Sequence, residues 1–91
     1  MSEPTRVRVV VHGRVQGVFF RDTVRRAALD RGAAGTVRNR PDGTVEAVFE
    51  AGPDAVEALV DLCRRGPPGA RVERVEVREE PPEGASGFHV S

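Results

Sequence analysis

The chain has 91 residues, of which 38% are hydrophobic, and both values predict one small globular domain with a single core. Fourteen arginines balance fourteen acidic residues, so the net charge is zero, which argues against binding to nucleic acid or acidic membranes. The chain has no lysine, which excludes a lysine nucleophile. A single cysteine excludes an internal disulfide or a cysteine-based metal cluster, and the lack of a membrane-length apolar stretch or a signal peptide predicts a cytoplasmic protein.

The first predicted elements are a strand, a glycine-bearing turn and a helix. Valine-rich residues 6–12 have apolar side chains on both faces, which is typical of a central strand. Helical spacing begins near Phe20 and Gly32 ends it, so we predict a helix over about residues 20–31. Backbone N–H groups of the turn and of the helix start can point at a common centre, and Arg21 can close this cradle around a tetrahedral anion. The alternative is an ordinary connection whose glycines serve only the turn.

A β-hairpin is predicted next. Residues 36–39 are extended, and residues 44–50 alternate between two faces. Between them, Pro41 and Gly43 are typical of a tight turn. We expect the strand that ends at Asn39 to lie beside the first strand. The neutral amide of Asn39 can orient a water molecule without ionising, although asparagine at this place is also a common turn residue.

The second half of the chain predicts one helix and two strands. The helix begins at Pro53 and ends before the glycine- and proline-rich residues 66–69. Residues 74–78 then alternate as a strand with a charged solvent face. Residues 79–84 form an acidic loop, and residues 87–90 form a short last strand.

The order of these elements, β-α-β-β-α-β with a short extra C-terminal strand, predicts an α+β fold of the ferredoxin-like, split βαβ type. In this sandwich an antiparallel sheet carries both helices on one face. A single domain is expected to cover residues 1–91, with its core from about residue 5 to residue 90.

Several kinds of site are not predicted. The chain has no tryptophan or tyrosine and only four phenylalanines, so single-stranded nucleic acid would find few stacking partners. Phe49 and Phe88 are expected in the core, and Cys63 is expected to be a small buried hydrophobe. His12 and His89 lie in strand patterns without cysteine or carboxylate neighbours at ligand spacing, so no metal is predicted. The dispersed acidic residues offer no pair for acid–base catalysis.

Two segments resemble the two signature motifs of the acylphosphatase family. The first is Gly13-x-Val15-Gln16-Gly17-Val18-x-Phe20-Arg21. The second is Gly35-x-Val37-Arg38-Asn39-x-x-x-Gly43-x-Val45-x-x-x-x-x-x-Gly52. Length, element order and the terminal Phe88-x-Val90 match as well, so the resemblance extends over essentially the whole chain.

The resemblance implies hydrolysis of acyl phosphates to a carboxylate and inorganic phosphate, which would act as product or inhibitor. The residues that it implies for phosphate binding, mainly through backbone N–H groups, are Gln16, Gly17, Val18, Phe19, Phe20 and Arg21. Arg21 would grip the phosphoryl oxygens, and Asn39 would orient the attacking water. No metal or cofactor is required by this scheme, neither nucleic acid nor a membrane is an expected partner, and a monomer is expected.

One position departs from the family pattern, because Thr36 stands where the second motif usually has an aromatic residue. The loss of a bulky contact can loosen the strand that bears Asn39, or neighbouring side chains can repack around it. Two other functions stay open at this point. One is a phosphate- or carbamoyl-phosphate-binding module with little turnover, and the other is nucleic-acid binding through the sheet, which the zero net charge and the few aromatic residues disfavour.

Overall fold

The structure is a computed structural model that describes residues 3–91, so the first two residues of the predicted 1–91 domain lie outside the described part. The elements follow the predicted order and are β1 (Thr5–Arg14), α1 (Phe20–Asp30), β2 (Ala34–Asn39), β3 (Val45–Ala51), α2 (Pro53–Arg65), β4 (Arg71–Glu80) and β5 (Phe88–Val90). Neither helix in this part of the chain is long and apolar enough to cross a membrane.

The five strands form one sheet in the order β4-β1-β3-β2-β5. The four longer strands pair antiparallel, as predicted, whereas the short β5 pairs parallel with β2 and makes the sheet mixed. The expectation that β2 lies beside β1 is wrong, because β3 is inserted between them and pairs with both. Five of the seven residues of β3 are buried, as expected for the central strand of a sheet. β1 and β2 therefore run in the same direction and end at the same edge.

The edge strand β4 is longer than predicted, since it continues to Glu80 and includes the start of the expected acidic loop. The register places Glu80 opposite Arg6 of β1. Arg8 also donates from Nε to the Glu80 carboxylate at 2.7 Å. These cross-strand pairs of opposite charge stabilise the acidic end of the strand.

The core lies between the sheet and the two helices. Alternate residues of the central strands face the helices, and Val37 and Ala47 are fully buried there. The prediction that Phe49 and Phe88 belong to the core is confirmed, because both are buried and their rings stack with centroids 5.9 Å apart. Cys63 is likewise a buried core residue, and this burial raises the pKa of its thiol to about 12. A thiol that stays protonated at neutral pH does not act as a nucleophile.

The other face of the sheet carries a buried carboxylate, Glu50, which holds the loop between β4 and β5. Its oxygens accept backbone N–H bonds at 2.9 to 3.0 Å from Glu83, Gly84 and Ala85. Arg6 donates to the same carboxylate at 3.2 Å. These hydrogen bonds, that of the Glu83 N–H foremost, lower the pKa of Glu50. The carboxylate thus fixes the segment that leads the chain to β5.

We expect Glu50→Gln to lower the melting temperature by several degrees at neutral pH, because an amide group would face the loop donors in place of a carboxylate. The pKa of Glu50 is lower in the folded chain than in the unfolded one. Its stabilising contribution is therefore present above the unfolded-state pKa and is lost as the pH falls through the folded-state pKa. The difference between the melting temperatures of the native chain and the variant should be largest at about pH 7 and smaller at about pH 3, below the unfolded-state pKa of the carboxyl group.

The exposed Glu73 supplies the control, since Glu73→Gln removes a carboxylate from the surface of β4. The melting temperature of this variant should equal that of the native chain at both pH values. A Glu50→Gln deficit of equal size at both values would show that the charge of Glu50 contributes nothing.

Candidate active site

The loop between β1 and α1, residues 15–19, has the backbone geometry of an anion nest. Gly17 and Phe19 have positive φ angles of 76° and 63°, whereas the φ of Val18 between them is not positive. Residues that alternate in this way direct successive N–H groups towards one concavity. Within residues 3–91, no N–H group of this loop donates to a backbone oxygen. The donors are therefore available to a ligand.

The first turn of α1 adds further donors. Thr23 donates its N–H to the Phe19 carbonyl at 3.0 Å and closes the first helical turn. The N–H groups of Phe20, Arg21 and Asp22 precede that bond, so they have no intrahelical acceptor. The positive end of the helix dipole also lies here. Both effects favour an anion beside the loop.

Phe19 occupies the N-cap position of α1 without a side-chain cap. It is the only residue other than glycine with a positive φ in residues 3–91. A bulky residue in this left-handed conformation costs about 1–2 kcal/mol. The nest requires the conformation, whereas the fold gains nothing evident from the phenyl ring.

Arg21 lies in the first turn of α1 and is anchored to the end of the last strand. Its Nη1 donates to the main-chain oxygen of Ser91 at 2.9 Å. Ser91 in turn donates its N–H to the Val37 carbonyl of β2 at 3.0 Å. The guanidinium is thus tied to the sheet by one N–H group, while its other donors stay available.

Asn39, at the end of β2, lies at the same edge of the sheet as the β1–α1 loop, because β1 and β2 run in the same direction. The register sets it opposite Val45, and Val45 is opposite Val11 of β1 on its other side. Asn39 is two residues from the buried Val37, so both side chains lie on the helix-bearing face of the sheet. On this face Asn39 lies beside the N-terminus of α1, because Asn39, Phe20 and Arg21 line one cavity.

A cavity of about 460 Å³ joins these groups. Of the residues predicted for the site, those that line it are Gly17, Phe19, Phe20, Arg21 and Asn39. Gln16 and Val18 are not among its lining residues. The side chain of Val18 packs against the core. Any contact of Gln16 or Val18 with a ligand in the cavity would therefore be made by the backbone N–H group.

The side chain of Gln16 has a different contact that the sequence did not reveal. Its Nε2 donates to the carbonyl oxygens of Arg40 and Thr44 at 2.8 and 2.9 Å. These carbonyls belong to the turn that follows Asn39, which Arg40 also closes by donating its N–H to Thr44 at 2.9 Å. Gln16 therefore ties the loop of residues 15–19 to the hairpin that carries Asn39.

We expect Gln16→Ala to destabilise the fold by about 1–2 kcal/mol, since two hydrogen bonds to carbonyl groups are lost. Because loop and hairpin would then move independently, kcat/KM for an acyl phosphate should fall about tenfold. Gln16→Met keeps the length of the side chain but donates no hydrogen bond, and it should lose nearly as much. Native kinetics in the methionine variant would mean that packing, not the two hydrogen bonds, fixes the loop.

Thr36, where the sequence departs from the family pattern, lies away from the cavity. It is exposed and pairs with Val48 of β3 and His89 of β5. It is three positions from Asn39 along β2, an odd number, so the two side chains point to opposite faces of the sheet. The smaller side chain at this position therefore does not open the cavity.

The two histidines lie outside the cavity. The Nε2 atom of His12 lies 2.5 Å from a carboxylate oxygen of Glu76, and His89 is exposed on β5. Residues 3–91 contain no group of three or more histidine, cysteine or acidic side chains that could hold a metal ion. What the cavity offers is a set of backbone donors, the guanidinium of Arg21 beside the nest, a second guanidinium from Arg25 one helical turn further on, and the neutral amide of Asn39. This set can bind a phosphoryl group and orient a water beside it.

Comparison with known proteins gives a consistent result. The family model described as Acylphosphatase matches residues 7–90. An acylphosphatase of Rubrobacter xylanophilus is 63% identical over 93% of this chain and 78% of its own length. One of Gloeobacter violaceus is 54% identical over 99% of this chain and 97% of its own. Among solved structures, an acylphosphatase from Coxiella burnetii superposes with a TM-score of 0.92 at 38% identity, over 98% of this chain and 94% of that one.

Proposed function

The chain belongs to the acylphosphatase family, and from this premise we propose how its cavity hydrolyses the carboxyl–phosphate bond of acyl phosphates. The phosphoryl group lies in the nest of the β1–α1 loop. Backbone N–H groups of residues 16–20 donate to its oxygens, and the guanidinium of Arg21 donates from one side. These donors are in place before the substrate arrives, so little reorganisation is needed as charge develops on the phosphoryl oxygens.

Asn39 positions the nucleophile in this scheme. The amide oxygen accepts a hydrogen bond from a water molecule, and the water oxygen attacks phosphorus while the bond to the carboxylate oxygen breaks. The proton of the water passes to a phosphoryl oxygen of the substrate. The products are a carboxylate and inorganic phosphate, so charges and atoms balance without a protein base.

The chemistry of the substrate explains why so few side chains suffice. A carboxylate is a good leaving group and needs no general acid at neutral pH. The transition state of phosphoryl transfer is loose, with charge spread over the phosphoryl oxygens. Holding the group and placing the water therefore account for most of the required stabilisation.

The observation that supports this function most strongly is the meeting of Arg21 and Asn39 in one cavity. They lie on different elements, 18 positions apart in sequence, and the β1–α1 loop lies beside both. The test is a direct assay with benzoyl phosphate. We expect release of benzoate and phosphate by the native chain, with inorganic phosphate as a competitive inhibitor. Thermal stabilisation by phosphate without hydrolysis would instead support a binding module.

We further propose that residues 1–91 act as one domain and as a monomer in the cytoplasm. The cavity is built from a single copy of the chain. Light scattering on the purified protein should give the mass of one chain, and the mass of two would contradict the proposal.

A further inference from the structure

Phe19 is the most exposed large hydrophobic residue of the described chain. Its relative exposure is 81%, whereas the next residue, Phe20, is 2% exposed and belongs to the core. The two neighbouring rings thus have opposite surroundings. Phe20 anchors the start of α1, and Phe19 lies at the mouth of the cavity that also contains Arg21 and Asn39.

The backbone role of Phe19 does not account for its side chain. The nest needs a left-handed residue at this position, and glycine adopts that conformation without steric cost. An aromatic residue adds strain there, and an exposed ring recovers little of it through burial. Neither the fold nor the binding of phosphate explains a phenyl ring at this place. Nothing within residues 3–91 covers the ring, so a ligand in the cavity is the place to look for its partner.

We propose that the ring of Phe19 is the binding surface for the acyl part of the substrate, and that the enzyme prefers acyl phosphates with an aromatic or large apolar acyl group. This inference rests on the proposed function of the cavity. In the proposed binding mode the N–H of Phe19 donates to the phosphoryl group, and its ring begins at Cγ, three bonds from the amide nitrogen. The ring therefore lies close to the group that is bonded directly to the phosphate.

The rest of the rim agrees with an apolar acyl group. Val90 of β5 lines the same cavity and is 42% exposed, so it supplies a second apolar contact. Of the charged residues that also line the cavity, Asp22 is paired with Arg26 at 2.9 Å, and Arg25 lies one helical turn beyond Arg21. The volume of about 460 Å³ leaves room beyond a phosphoryl group.

The test compares benzoyl phosphate with acetyl phosphate in the native chain and in Phe19→Gly. The ratio of the two kcat/KM values should fall about five- to tenfold in the glycine variant, the effect of losing one aromatic contact. Most of this change should be in KM for benzoyl phosphate, because the acyl group does not react. Phe19→Tyr keeps an aromatic ring and should retain the native ratio.

Stability separates this role from a structural one. Glycine relieves the left-handed strain, so Phe19→Gly should melt no lower than the native chain. Leu29→Ala removes another exposed apolar side chain from α1, outside the cavity, and should keep the native ratio.

An unchanged ratio in Phe19→Gly, or an equal fall in Leu29→Ala, would overturn the assignment of Phe19 and leave the proposed hydrolysis standing. If the native chain hydrolysed neither compound, the proposed function itself would fail, and the acyl-binding surface with it.

Discussion

Arg21→Ala is expected to reduce kcat/KM for benzoyl phosphate on the order of 10²–10³-fold or more, the scale for removing a principal donor to a transition-state oxyanion. The guanidinium is the only cation among the residues proposed to bind the phosphoryl group, and no neutral N–H replaces its charge. The side chain is exposed, so its removal should leave the fold intact. Steady-state kinetics and a melting curve on the same sample measure both properties.

Arg26 provides a matched control on the same helix. It is exposed, forms an ion pair with Asp22 at 2.9 Å, and does not line the cavity. Arg26→Ala should therefore keep kcat/KM within about threefold of the native value. Arg21→Lys is more informative about geometry, since lysine keeps the charge but loses the planar fork of donors, and it should stay well below native activity. Equal activities for Arg21→Ala and Arg26→Ala would remove Arg21 from the site.

Asn39→Ala is expected to lower kcat on the order of 10²-fold or more, because the attacking water loses the group that orients it. The inhibition constant of inorganic phosphate should change far less, by about threefold at most, since Asn39 contacts the water and not the phosphoryl group. This division between turnover and phosphate affinity is the signature of a water-positioning residue. Measurement of kcat together with phosphate inhibition in one series gives it directly.

Two variants on β2 sharpen that result. Thr36→Ala changes the same strand on its opposite face and should leave both constants near native values. Asn39→Asp keeps the size of the side chain but adds a negative charge beside the phosphoryl group, so it should weaken phosphate inhibition as well as turnover. Parallel losses of kcat and phosphate affinity in Asn39→Ala would assign Asn39 to the phosphate and not to the water.

The elements could be predicted because their signals are local, whereas the roles of Arg21 and Asn39 were proposed from the resemblance of two short segments to family motifs. Helical spacing after Phe20, the turn residues Pro41 and Gly43, and the apolar pattern of the strands depend on neighbours in sequence. The period of two along β2 also predicts that the side chains of Thr36 and Asn39 point to opposite faces of the sheet.

What could not be predicted depends on pairing between distant segments. The insertion of β3 between β1 and β2 is a property of the whole sheet, and the contact of Arg21 with Ser91 joins residues 70 positions apart. The side chain of Gln16 is a similar case. Its motif position suggested a backbone donor, whereas its amide reaches a turn 24 residues further on. Local pattern carries no information on such contacts.

Phe19 and Glu50 both depart from the usual pattern in which apolar side chains are buried and charged ones are exposed. An apolar side chain lies in solvent, and a carboxylate lies where its side chain is only 4% exposed. For Glu50 the structure supplies the compensation in three backbone N–H donors and Arg6. For Phe19 residues 3–91 supply none, which is the reason to look for its partner in the substrate.

The central claim is that the cavity holds a phosphoryl group while water attacks phosphorus. Hydrolysis of benzoyl phosphate by the native chain in water enriched in heavy oxygen, with mass spectrometry of both products, tests it most directly. We predict one labelled oxygen in inorganic phosphate and none in benzoate. Label in benzoate would show attack on the carbonyl carbon and would contradict the roles proposed for both Arg21 and Asn39.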